Sequence, residues 1–220
     1  MTSSFESSAI NSSEIKLLEL PIIRDAIGKA QADGVDWGKS FVNDDRWNGD
    51  CDRMCDHAIR EAMIWSAGQG AVTSVGGAAT IVPGLAADLS LFLYSQIKLA
   101  AALFTIHGID VRDEEVRPLL LAAAAGIAVT DLIDIIGVKV AQNAVRRTLM
   151  SIPGKTLAQI NRILGVRLIS KAGQKTMTNM VKLVPIVGAV AGGGVNAAMM
   201  GASGKLIQKF IADYKSAQLS

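Results

Sequence analysis

Two long stretches without a charged residue, Ala62 to Ala87 (26 residues) and Leu183 to Gly204 (22 residues), constrain this chain more than any other feature. A helix of that length with no polar side has to bury itself against other helices or enter lipid. Both stretches are dense in glycine, and each glycine in a helix interior costs about 1 kcal/mol relative to alanine. Glycine is useful there only where another backbone comes close or the helix bends. Half of the 220 residues are apolar but only 5% are aromatic and 19% are charged, which favours thin helices at short separation over a bulky aromatic core. The predicted fold is all-α, a single compact multi-helix bundle with glycine/alanine-rich core helices and helical hairpins linked by Pro-Gly.

Residues 1–49 read as a polar leader, an N-terminal helix and a linker, and 50–220 as the helical domain. The leader, Met1 to Ser13, is rich in Ser and Asn and lacks the basic flank and apolar run of a secretion signal. Ile15, Leu18, Ile22 and Ile23 then recur at helical spacing around Pro21, and the first helix is expected to end near Gly34. Gly34 to Gly49, with Trp37 and Trp47, reads as a loop. The first charge-free stretch predicts a buried helix ended by a Pro83-Gly84 turn. A second helix follows over Leu85 to His107, with Leu89, Phe92, Leu93, Gln96 and Leu99 on neighbouring turns and Gly108 as its C-terminal cap.

The acidic run Asp110 to Glu115 sits where the next helix should begin, with Pro118 in its first turn. The apolar run Leu119 to Val140 is expected to break at Thr130-Asp131 rather than bend at Gly126. After Ile152-Pro153-Gly154 comes a basic segment carrying Lys155, Arg162, Arg167, Lys171, Lys175 and Lys182 and no acid. These six are the candidate contacts for anionic lipid head groups. The second charge-free stretch leads into a polar-faced helix over Lys205 to Ala217.

Five polar residues stand in apolar surroundings as candidate buried groups: Asp88, Gln96, Asp131, Asp134 and Asn196. Asp88 follows Pro83-Gly84, so the free N–H groups of a helix start are its expected partners, and Asp131 is expected to cap a helix. Gly188 and Gly192, with Gly201 on an adjacent small-residue row, are candidates for close helix packing. Cys51 and Cys55 lie one helical turn apart beside Asp50, Asp52, Asp56 and His57. Two thiols on one face with His57 pointing elsewhere are too few for a structural zinc site, and the acids suit a helix start. His107 beside its glycine reads as a helix-end residue. No acid, base and nucleophile converge in the sequence and no phosphate-binding loop follows a strand, so no catalytic residue, cofactor or metal is expected.

In chain order, Pro83-Gly84, Asp88, Gln96, Ile106-His107-Gly108-Ile109-Asp110, Arg117 after an acidic run, and Val184-Pro185-Ile186-Val187-Gly188 with Gly192 and Asn196 form a pattern that resembles the EcsC protein family. The resemblance spans roughly residues 58 to 215. Many members carry an aromatic before the Gly-x-Asp, where this chain has His107. The resemblance implies an all-helical bacterial protein of a family named after a gene neighbour of an ABC transporter, and it brings no catalytic residues with it.

The net charge of +2 provides no field suited to nucleic acid. The expected protein is non-enzymatic and cytoplasmic, peripheral at the inner face of the membrane, with an anionic lipid surface or a membrane protein such as a transporter component as its partner. The alternatives are a soluble scaffold that buries every apolar helix, or a protein that inserts to form a pore. Mean hydropathy of only +0.34 argues against helices that span the bilayer.

Overall fold

The computed structural model describes residues 21–74, 81–129, 132 and 190–219, and they are all-α, with five helices and no strand among them. The helices are α1 (Pro21–Val42), α2 (Cys51–Ser74), α3 (Ile81–Ile106), α4 (Arg117–Ala125) and α5 (Val190–Leu219). A 3-10 turn, Asp45–Trp47, joins α1 to α2.

Helix α3 is the centre of the bundle. Its residues Leu99 to Phe104 are completely buried around the whole circumference, as a helix apolar on all sides must be. Helix α1 lies along α3 in the same direction, with Gly34 against the Lys98 carbonyl and Gly38 against Ala102. Helix α5 also runs parallel to α3, joined by Ser203 to Gln96 and by Phe104 to Phe210 at 6.2 Å between ring centroids. Helix α2 runs the opposite way, and places Ile59 against Gly204 and Met63 against Gly201 of α5. One hydrophobic cluster collects side chains from all five helices.

The first helix is longer than its sequence suggests. It runs through Gly34 and Gly38 to Val42, because these glycines, with Ala30 one turn earlier, form the small-residue row on which α3 rests. A Cβ on Gly38 would stand 2.7 Å from the Ala102 carbonyl oxygen and 2.7 Å from the Thr105 Cβ. Residues 34–42 are therefore helix and not loop, and the connection to α2 shortens to residues 43–50. Reversal comes later: the Asp44 carboxylate accepts from the Arg46 N–H, Asn48 is left-handed at φ 53°, and Gly49 has φ 73°. Asp50 then caps α2 by accepting from the Arg53 N–H at 3.0 Å.

Pro83-Gly84 is likewise no turn. Both residues lie inside the first turn of α3, which begins at Ile81, where proline is tolerated because the N–H it lacks would have no intrahelical partner. The other end of α3 closes as expected. Gly108 adopts φ 75°, its N–H reaches the Thr105 carbonyl, and the Ile109 N–H reaches that of Phe104, the paired bonds of a Schellman cap. Pro118 sits in the first turn of α4. That helix ends at Gly126, with φ 66° and the same pair of bonds, so the break expected at Thr130-Asp131 falls earlier, at the one residue that takes a left-handed conformation without strain.

Candidate functional site

The antiparallel course of α2 brings the C-terminal turns of α2 and the N-terminal turns of α3 and α5 to the same end of the bundle. Along α2 there is no charge after Glu61, along α3 only Asp88 precedes Lys98, and along α5 none precedes Lys205. Helix α1 supplies Asp25, Lys29 and Asp33 on the flank, where Lys29 pairs with Asp33 and the Tyr94 hydroxyl donates to the same carboxylate. That hydrogen bond and Lys29 lower the Asp33 pKa, and burial together with Asp33 pushes the Tyr94 phenol up to about 12. The opposite end is densely charged, from Asp44 to Arg53, from Asp110 to Arg117 and from Lys205 to Lys215.

Toward the charge-poor end Ile64 and Trp65 are 72% and 73% exposed, and Leu91 is 39% exposed. Adjacent residues of α2 on its other faces are occupied, Met63 against Gly201 and Ser66 in the interior. Two large apolar side chains thus stand outward on α2 one turn beyond Arg60 and Glu61, the last charged residues of that helix. An indole in that position combines an apolar ring with one N–H donor, the combination that favours a water–lipid boundary. No described helix is long and apolar enough to cross a membrane.

The residues singled out in the sequence fall in different places. Gln96 is buried and accepts from the Ser203 hydroxyl, which ties α3 to α5 through the core. Asn196 is only half-buried. Asp88 does not lie in a helix's first turn, since α3 starts seven residues before it, so the helix-start role expected of it is withdrawn. Gly201 lies under Met63, whose Sδ would be 2.9 Å from an added Cβ. Gly192 belongs to α5. Asp131, Asp134, Gly188 and all six basic candidates, Lys155, Arg162, Arg167, Lys171, Lys175 and Lys182, lie outside the described residues.

The two cysteines have different neighbours from those adjacent in sequence. His57 turns away to bond Glu61 at 3.1 Å and to pack on Trp47 at 5.0 Å, while Glu61 also accepts from the Trp37 indole. Cys51 Sγ donates to the Ile106 carbonyl, and Cys55 Sγ lies 3.6 Å from His107 Nε2. On the far side of that ring Lys215 Nζ is 3.5 Å from Nδ1. The group joins α2, the end of α3 and α5, and its members are 52 and 108 residues apart in the chain, so no local motif could announce it.

A Cys–His contact invites comparison with a nucleophilic dyad, but the environment is wrong for one. Burial first, with the neighbouring Cys51 and the Asp52 carboxylate acting in the same direction, pushes the Cys55 thiol up to about 12, whereas a reactive cysteine needs its thiolate stabilised. Burial and the adjacent Lys215 keep the His107 pKa below the ordinary imidazole value, with Asp52 opposing them. Among the described residues no three His, Cys, Asp or Glu side chains are placed to hold a metal ion. Comparison of the chain with sequence models of known families, with curated proteins and with solved structures returns no match.

Proposed function

We propose that this protein is a non-enzymatic, peripheral membrane-associated helical protein that docks the charge-poor half of its bundle on a lipid surface. The observation that carries the reading is that Ile64 and Trp65 stand exposed in the half of the bundle where α2, α3 and α5 carry Asp88 as their one charge beyond Glu61 and before Lys98 and Lys205. Burying those two side chains in the interfacial region would contribute roughly 1.5–3 kcal/mol each. That is too little for a stable anchor, so a second attraction is needed. The acid-free segment with Lys155, Arg162, Arg167, Lys171, Lys175 and Lys182 supplies it, at about 1 kcal/mol per basic residue close to an anionic surface. The partner is accordingly an anionic leaflet such as the inner face of a bacterial membrane, or a membrane protein embedded there. The order of Pro83-Gly84, Gly108-Ile109-Asp110 and Val184-Pro185 supports placing the chain with EcsC-like proteins.

Co-sedimentation with vesicles tests this. Purified protein is expected to pellet with anionic vesicles at low salt, less at high salt and little with zwitterionic ones. Neutralising Arg162, Arg167, Lys171 and Lys175 is expected to abolish the salt-sensitive part. Protein that stays in the supernatant under every condition refutes the proposal.

A further inference from the structure

At the charged end of the bundle, the ring of His107 is held between α2 and α5, beyond the contact of Gln208 with Asp56. Its backbone position is fixed by the Schellman cap at Gly108. Nε2 faces Cys55 of α2 at 3.6 Å and Nδ1 faces Lys215 of α5 at 3.5 Å. An ammonium has donors and no acceptor, so Nδ1 must be the accepting nitrogen and the ring proton sits on Nε2, toward the thiol. This arrangement accommodates the neutral ring only. A second proton would go to Nδ1 and turn the contact with Lys215 into donor against donor and cation against cation.

We propose that His107 is an acid-sensitive latch on the C-terminal helix: neutral, it ties α5 to α2 and α3, and protonated, it loosens the last turns of α5 from that end of the bundle. The groups facing it are Lys215 from α5 and Cys51, Asp52 and Cys55 from α2. Lys215 opposes the proton. Burial of the ring opposes it more strongly still, and Asp52 favours it. Earlier in α5, the Lys205–Asp56 ion pair at 2.7 Å and the packing of Ile207, Phe210 and Ile211 do not depend on the ring, so loosening is confined to the segment beyond Ile211.

The direction in pH follows from the ring being less basic in the fold than when free. Its contribution is fully present above the free imidazole value of about 6.5 and is lost as pH falls through the lower, folded value. Each unit between the two values changes the opening equilibrium about tenfold.

The test is lipid-free hydrogen exchange at pH 7 and pH 5, normalised for intrinsic rates, on the full chain. Peptides covering 212–219 are expected to exchange faster at pH 5 while those covering 27–41 of α1 do not change. His107→Gln, which cannot take the proton, is expected to remove the step. Lys215→Met, a substitution at an exposed position, is expected to shrink it, and Asp52→Asn to enlarge it. No step in the unmodified protein, or a step that survives both His107→Gln and Lys215→Met, overturns the latch. Because no lipid is present, failure here is separate from failure of the membrane reading.

Discussion

Alanine placed at two glycines of α1, Gly38 and Gly28, is predicted to change stability in opposite directions. At Gly38 the new methyl would lie 2.7 Å from a backbone carbonyl oxygen, 2.7 Å from the Thr105 Cβ and 3.1 Å from the Ala102 Cα. None of these is the free end of a flexible side chain, so α1 as a whole must move away from α3. Overpacking of this kind costs roughly 1–3 kcal/mol, offset by about 1 kcal/mol of helix propensity, and the contact on two sides places Gly38→Ala toward the upper part, a net loss of roughly 1–2 kcal/mol. At Gly28, one helix face away, nothing lies within 4 Å of the added Cβ. Gly28→Ala should therefore gain about 0.5–1 kcal/mol from the lower entropy of the unfolded chain. For a chain of this size each kcal/mol moves the Tm by roughly 2–4 °C, so thermal unfolding followed by circular dichroism resolves both changes. A Gly38→Ala protein as stable as the parent would refute the reasoning that glycine is retained there for backbone approach.

Three more outcomes are expected. Gly108→Ala should cost about 1–2 kcal/mol in denaturant unfolding from its left-handed backbone alone, since no atom obstructs the Cβ there; an unchanged midpoint would contradict the cap. With a thiol reagent at pH 8 the native protein should titrate one cysteine, Cys51, and the denatured protein two, because Cys55 is fully buried with its thiol pushed up to about 12; two fast thiols in the native state would contradict the packing around His107. Ile64→Ser with Trp65→Ser should leave the unfolding midpoint within about 0.5 kcal/mol, as exposed positions do, yet weaken vesicle binding; a large loss of stability would mean that these side chains are covered in the fold.

How much of this was legible depended on whether a residue's role is local. Gly108 as a cap, Pro118 in a first turn and a helix beginning after Asp50 all follow from backbone chemistry within a few residues, and the sequence shows them. Gly34 is different. A glycine late in a helical pattern is consistent both with termination and with close approach, and only the small side chains of Ala101 and Ala102, some sixty residues on, decide for the second. Pro83 was ambiguous in the same way, since a proline that ends one helix and a proline in the first turn of the next differ by the position of Ile81. Gly126 outweighed Thr130-Asp131 because a left-handed residue terminates a helix more firmly than a capping side chain starts one. The Cys55–His107–Lys215 contact was out of reach, because three helices must be in register before those atoms meet.

Quenching of tryptophan fluorescence by anionic vesicles with brominated acyl chains tests the membrane account most directly. Trp47 is buried and Trp37 half-buried, which leaves Trp65 as the indole able to reach lipid from the charge-poor half of the bundle. The account predicts quenching in the parent protein that disappears in Trp65→Phe while the variant still binds measurably. Emission that is unaffected by bromine in a protein shown to be vesicle-bound, or quenching that persists in Trp65→Phe, would contradict it.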